Sequence, residues 1–228
     1  MKYFIAAILT LSLTFPAIAQ LEKSDIRLVR EAEFTARNYQ GEVEGSPFLN
    51  NEWQTGLVFL KSGKTSNMVK LRYNILQNQL LLQRNGRAYS VMPNRMTGFV
   101  FVDEGHRTKF GKGFRSAEHN INRNQLLRMI YDGSIKLVAR YESNKNERRD
   151  AFSGAVTIRF INDQVYYLIT SDGSFHEVDL DKEDILKALN DEQQALQKFA
   201  RQNDLNWDEE TDLKQILAHY DGLVAQNG

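Results

Sequence analysis

The segment LLRMIYDGSIKLVARY, residues 126–141, decides the fold class of this chain. Asp132-Gly133 stands between two apolar runs, and Asp-Gly supplies the positive φ that a tight two-residue hairpin turn needs at its centre. The arm after the turn alternates, with Ile135, Leu137, Ala139 and Tyr141 on one side and Lys136, Val138 and Arg140 on the other. A period of two describes a strand that turns one face to a core and the other to water.

The same punctuation recurs outward in both directions. LLLQRNGRAYSV, residues 80–91, places Asn85-Gly86 between apolar runs, the strongest short-range hairpin signal. VTIRFINDQVYYLITSDGSFHEV, residues 156–178, carries two further turn signals, at Asn162-Asp163 and Asp172-Gly173. Ser62-Gly63 reads as the turn of a hairpin between GLVFLK and NMVKLRY. From Leu57 to Val178 this spacing predicts about ten strands. The expected fold is α+β: a mainly antiparallel sheet, built as a sandwich or a partly open barrel and followed by short C-terminal helices.

After Leu180 the apolar period changes to that of a helix. Asp181 is placed to cap a helix carrying Ile185, Leu186 and Leu189, and Asp191 to cap a second carrying Leu196, Phe199 and Ala200. Asp208 opens a third, with Leu213, Ile216, Leu217 and Tyr220 as its stripe and Gly222 as its stop. Each is too short to persist alone in water, so the three are expected to pack on the sheet or on each other. Residues 104–124 and 142–153 read as long loops, and Leu21–Phe34 suits either a helix or a strand. The expected organisation is a leader over residues 1–19, an unassigned segment 20–52, a β domain 53–180 and a helical region 181–228.

The leader reading rests on MKYFIAAILTLSLTFPAIAQ. Lys2 precedes an apolar run from Tyr3 to Phe15, and Ala17 and Ala19 frame a small-residue cleavage site before Gln20. The apolar run is shorter than the ~20 residues of a spanning helix, so a signal peptide is expected, with no transmembrane segment after its removal and a periplasmic or extracellular location. The chain has no cysteine. Disulfides, thiolate metal sites, a thiol nucleophile and a lipid-bearing N-terminal Cys are thereby excluded.

Gly63-Lys64-Thr65 has the last three letters of a phosphate-binding P-loop. The glycine that must stand five positions earlier is Val58, and a β-like run follows where a helix is required, so no nucleotide is expected. GKGFRS, residues 111–116, opens like a dinucleotide fingerprint but has Ser116 at its third glycine. His106, His119, His176 and His219 form no helical ligand pair, and His176-Glu177 lies on an expected strand where neighbours point to opposite faces. No nucleophile elbow occurs. Neither a metal nor a cofactor is expected.

Charge is unevenly spread. Residues 53–140 hold fifteen Lys and Arg against four acids, a net +11, whereas residues 179–228 hold five basic against twelve acidic, a net −7. Arg107, Lys109, Lys112 and Arg115, interleaved with Phe110 and Phe114, form the candidate anion-binding surface, suited to phosphate, sulfate or uronate groups. The two phenylalanines either flank a ligand there or pin the loop to the core.

GSPFLNNEWQTGLVFLKSGK (45–64), VKLRYNILQNQLLL (69–82), FGKGF (110–114), LLRMIYDGSIKLVARY (126–141) and EDILKALNDEQQALQKFARQNDLNWDEETDLKQILAHYD (183–221) resemble a family of uncharacterised secreted proteins of Bacteroidota. The resemblance covers most of the chain after the leader. It implies an envelope or extracellular location and carries no active site. The expected function is a non-catalytic envelope module that binds an anionic polymer or a protein partner. The alternative is a secreted hydrolase whose carboxylates are dispersed through the sequence.

Overall fold

The computed structural model describes residues 18–29 and 41–227. Residues 1–17 of the expected leader therefore lie outside the described residues, as do 30–40. The strands, in chain order, are β1 (Ile18–Ala19), β2 (Ile26–Leu28), β3 (Glu42–Glu44), β4 (Gln54–Leu60), β5 (Thr65–Ser66), β6 (Val69–Asn74) and β7 (Gln79–Arg84). They continue with β8 (Arg87–Val91), β9 (Met96–Asp103), β10 (His106–Gly111), β11 (Leu127–Asp132), β12 (Lys136–Arg149), β13 (Val156–Ile169) and β14 (Phe175–Val178). The helices are α1 (Lys182–Leu189), α2 (Gln193–Gln202) and α3 (Glu210–Asn227). The fourteen described strands form one open sheet, eleven of them in the order β14-β13-β12-β11-β10-β9-β4-β6-β7-β8-β2, with β3 on β13, β5 on β4 and β1 on β5 off this path. Its pairings are antiparallel except for β1 on β5 and β3 on β13, both in parallel. No described helix is long and apolar enough to cross a membrane.

The sheet curls strongly, and chain connectivity requires it. From Val91 at the end of β8 to Met96 at the start of β9 there are five peptide steps, which span at most about 18 Å. Four interstrand spacings of about 4.8 Å separate the same strands in the sheet order, before any offset along the strands is added. Curling closes the gap. Val91, Met96 and Leu60 then share one core with Leu71, Tyr73, Leu80, Leu82, Phe99, Phe101 and Phe110.

The sheet continues beyond this core, and there the helices cover the same face. Leu137 and Ala139 of β12 and Leu168 of β13 pack with Ile185, Leu189, Leu196, Leu213, Ile216 and Leu217. Side chains at the intervening positions, Val138, Tyr167 and Ile169, face the other way, where the segment between β10 and β11 covers them with Ile121 and Phe114. A second outer patch, Leu81 and Ala88, is covered by Phe48 and Trp53.

The ten strands of four or more residues match the number expected, and the remaining four have two or three residues each. The expected turns at Ser62-Gly63, Asn85-Gly86 and Asp172-Gly173 lie between strands. The one expected at Asp132-Gly133 is a three-residue loop, 133–135, because Asp132 is the last residue of β11 and pairs with Lys136, and neither Asp132 nor Gly133 has positive φ. The turn expected at Asn162-Asp163 does not form. β12 and β13 pair without interruption from Lys136↔Ile169 to Arg149↔Val156, so both residues sit inside β13. The chain reverses instead at residues 150–155, where Asp150 Oδ1 accepts from the backbone N–H groups of Phe152 and Ser153 and from the Ser153 hydroxyl. Residues 142–149, expected as a loop, are therefore the outer half of β12. They read as a loop because the strand is exposed from Asn144 onward and has little apolar face to show.

The expected loop 104–124 contains β10. Glu104 and Gly105 both have positive φ, 42° and 88°, and make the tight turn between β9 and β10. In the helical region Asp181 caps α1 as expected, accepting from the Asp184 N–H. Asp191 does not cap α2, which begins after Glu192 in a left-handed conformation. Asp191 accepts from the Tyr220 hydroxyl of α3 instead, and burial first, then this bond, lift the Tyr220 pKa to about 12. α3 runs through Gly222 to Asn227, because one glycine costs a helix only about 1 kcal/mol and packing outweighs it. Leu213, Ile216, Leu217 and Tyr220 all turn inward as the expected stripe.

Candidate functional site, a cationic rim

From Trp53 to Val102 the sequence has seven Lys and Arg and no Asp or Glu. This segment supplies β4 to β8 and all of β9 except its last residue, Asp103, so these strands hold a single carboxylate, at the end of β9 away from Met96. Some of these cations have structural duties. The Arg72 guanidinium lies 3.8 Å from the centroid of the Phe48 ring and donates to the Asn50 carbonyl. Arg84 donates to the Leu21 carbonyl.

Others gather where β4 ends and β9 begins. The Leu60 N–H donates to the Lys64 carbonyl at 2.8 Å and closes the turn, and the Lys61 N–H donates to the Arg95 carbonyl at 2.8 Å. The Lys112 N–H donates to the Thr97 carbonyl at 3.1 Å, and its ammonium donates to the Pro93 carbonyl. Lys61, Lys64, Arg95 and Lys112 therefore share one rim of the sheet. Lys61, Lys64 and Arg95 are exposed and Lys112 is half-buried. Burial lowers the Lys112 pKa, and the neighbouring positive charge of Lys61 lowers it further. Among the described residues none of the four pairs with a carboxylate. The rim is thus a surface on which an added anion relieves repulsion between cations already held together.

The four residues singled out in the sequence do not converge. Arg107 and Lys109 lie on β10 at positions alternating with Phe110, so Phe110 is in the core and the two cations face solvent. Lys109 is 3.1 Å from Asp132, which also takes Lys136 at 2.8 Å. Lys136 first and Lys109 after it hold the Asp132 carboxyl below its usual range, against the upward pull of partial burial. Arg107 lies four residues, about 13 Å of strand, before Gly111 and so is remote from the rim. Arg115 is exposed in the segment between β10 and β11, whose Phe114 packs against the outer core. Only Lys112 belongs to the rim. Lys61, Lys64 and Arg95 were missed because they are scattered in sequence; the usable signal was the fifty-residue run without an acid.

Other titratable groups serve the fold. His119 has its Nδ1 3.6 Å from Glu177 and its ring edge-on to Tyr167 with centroids 5.0 Å apart, and its carbonyl accepts from Arg140. Tyr167 is fully buried, which raises its pKa and keeps it neutral. His219 stacks on Phe199 at 3.9 Å between α3 and α2, while His176 lies on β14 and exposed His106 on β10. Asp179, Asp181 and Asp184 converge to within 4.8 Å, and their bonds to the Asp184 and Asp179 N–H groups organise the start of α1. Gly63, with φ of 83°, lies in a tight turn followed by the strand β5, not by a helix. No protein-family model, curated protein or solved structure matches this chain.

Proposed function

We infer that the protein is a non-catalytic, exported envelope module that binds an anionic polymer, or an acidic face of a protein partner, through the rim of Lys61, Lys64, Arg95 and Lys112. The observation that supports this reading is the meeting of Lys61, Arg95 and Lys112 through backbone hydrogen bonds at one rim, in a run of fifty residues without an acid; burial, and after it the charge of Lys61, lowers the Lys112 pKa. Exposed cations of this kind act through long-range attraction, which salt screens over about 8 Å at physiological ionic strength. Arg107 and Arg115 add to the general positive field and do not form the site. Phosphate, sulfate and uronate groups all satisfy this chemistry.

Heparin serves as the probe, a soluble sulfated polymer. Binding is expected to fall steeply as salt rises. Lys61→Glu with Arg95→Glu is expected to weaken it about tenfold at low salt, because two reversed charges convert attraction to repulsion at the point of contact. Both side chains are exposed, so the fold is retained and its circular dichroism serves as the control. Arg107→Glu with Arg115→Glu makes the same change in net charge and is expected to weaken binding less. Equal affinity for the two double variants would remove the rim as the site, and binding indifferent to salt would remove the electrostatic reading altogether.

A further inference from the structure

A hollow of about 430 Å³ opens next to the rim, where β7 begins and β8 ends. Gln77, Gln79, Ser90, Met92 and Pro93 line it, and Arg27, itself partnered, borders it. Pro93 belongs to both places, because its carbonyl accepts from the Lys112 ammonium of the rim. The Arg95 N–H donates to the Met92 carbonyl at 2.9 Å, so one short helical turn, Pro93–Arg95, joins the hollow to the cations. No carboxylate is among the described residues that line it.

The polar groups of the hollow are of another kind. Leu80 and Val91 point into the core, so their neighbours Gln79 and Ser90 lie on the outer face with Leu81 and Ala88. Gln79 Nε2 donates to the buried Ser90 hydroxyl at 2.9 Å, while Gln79 Oε1 is enclosed and without a partner among the described residues. Turning the amide over does not relieve this: Ser90 then donates to Oε1, and Nε2 is left unpaired. An enclosed polar atom in this state is destabilising, and a ligand that pairs with it removes the penalty on binding. A hydroxyl suits either orientation of the amide, since it both donates and accepts. An ionised phosphate, sulfate or carboxylate oxygen only accepts, so it is no partner for Oε1. Exposed Gln77 adds a second carboxamide, and Met92 and Pro93 add apolar surface for the C–H face of a ring. A concave site with apolar walls and a few placed polar groups is the common form of a small-ligand pocket.

Resting on the reading of the rim as an anion site, we propose that this hollow takes a hydroxyl-bearing ring of the same ligand, so that the polymer bound is an acidic polysaccharide. Its anionic groups lie on Lys61, Arg95 and Lys112, and a ring hydroxyl pairs with the Gln79 amide. Polyphosphate has the charge without the hydroxyls and occupies the rim alone.

Two polyanions separate these parts: polygalacturonate, with a carboxylate and free hydroxyls on every ring, and linear polyphosphate. Wild type is expected to bind both at low salt. Gln79→Leu keeps the net charge and is expected to lower the affinity for polygalacturonate about tenfold, the worth of one enclosed hydrogen bond, while leaving that for polyphosphate within about twofold. Its salt dependence is expected to stay that of wild type, because no ion contact is lost. Gln77→Ala, at an exposed position, is expected to lower the polygalacturonate affinity alone, about threefold, and decides the matter should the thermal transition show Gln79→Leu to be misfolded. Lys61→Glu with Arg95→Glu is expected to weaken both polymers. Polygalacturonate binding unmoved by Gln79→Leu and Gln77→Ala overturns the proposal, and so does an equal loss toward the two polymers. A wild type that binds polyphosphate and not polygalacturonate also overturns it, and leaves the rim as an anion site. A wild type that binds neither removes the rim itself, and the proposal with it.

Discussion

Phe110→Ala is expected to destabilise the protein by about 3–5 kcal/mol, the cost of deleting an enclosed aromatic side chain together with the cavity it leaves. Phe110 is completely buried and touches four aromatic rings. It stacks on Phe99 with centroids 4.6 Å apart and planes 7° from parallel, lies tilted against Tyr73 at 5.4 Å and Tyr141 at 6.0 Å, and meets Phe101 edge-on at 6.1 Å. Tyr73, Phe99, Phe101 and Phe110 come from β6, β9 and β10, and Tyr141 from β12, so one side chain ties both halves of the curled sheet. Its neighbour in sequence gives the contrast. Lys109→Ala removes an exposed ion pair with Asp132 and is expected to cost no more than about 1 kcal/mol. Chemical denaturation of the two variants measures the difference directly. A Phe110→Ala variant within 1 kcal/mol of wild type would show that the aromatic cluster does not hold the sheet together.

That contrast marks how far the sequence could be read. Where one face of a strand is apolar and the turn is Asn85-Gly86, both residues of positive φ, periodicity and turn chemistry place both the element and its reversal; at 126–141 periodicity places the two strands, but the reversal is the loop 133–135 without positive φ. β10 escaped because its turn is Glu104-Gly105 and its exposed face carries Arg107 and Lys109, which together resemble a basic loop. The outer halves of β12 and β13 escaped for a different reason. Backbone pairing holds them to each other: the outer half of β12 has little apolar pattern of its own, whereas β13 buries Ile158 and Phe160 at alternate positions but carries the turn-like pair Asn162-Asp163. Asn162 looked like a turn residue, yet in β13 its side-chain amide donates to the Ser46 carbonyl at 3.0 Å.

The candidate site was legible as a charge imbalance and not as a place. Residues 53–140 show the excess in composition, but the rim depends on two reversals of the chain meeting, at 61–64 and 93–95, with Lys112 brought in by β10. The pairing of β9 with β4, which sets Leu60 opposite Met96, and with β10, which sets Gly111 opposite Gly98, creates that meeting. Nothing local in sequence reports it, because Lys61 and Arg95 are joined by a backbone hydrogen bond between turns separated by four strands in sequence or by none in space.

The second large effect is expected at the loop between β11 and β12. Neither Asp132 nor Gly133 has positive φ, so glycine is required there by proximity: a Cβ on Gly133 would stand 1.9 Å from Asp221 Oδ2 and 2.6 Å from the Tyr131 hydroxyl oxygen. Asp221 on α3 accepts from the Tyr131 hydroxyl at 2.6 Å, from the Ser134 N–H at 2.9 Å, and from the Ser134 hydroxyl at 2.5 Å. At its other end α3 is held by Glu210, which pairs with Arg128 and accepts from Tyr166 at 3.1 Å. Asp221→Ala is expected to cost about 2 kcal/mol, since it removes three bonds to a charged acceptor and leaves the half-buried Tyr131 hydroxyl without a partner there, while Ser134 is exposed. Gly133→Ala adds overlap to the same loss, about 1–3 kcal/mol. The two variants break one clamp, so their combination should cost less than the sum. Acid supplies an independent readout. Partial burial pushes the Asp221 pKa up, but the bonds from Ser134 and Tyr131 outweigh it and the net shift is downward. A depressed folded-state pKa contributes stability that is fully present above the unfolded value of about 3.9 and is lost as pH falls through the folded value. The gap in melting temperature between wild type and Asp221→Ala is therefore expected to be constant from neutral pH down to about 4 and to narrow below it. A gap that persists undiminished in stronger acid would show that Asp221 holds α3 by its shape and not by its charge.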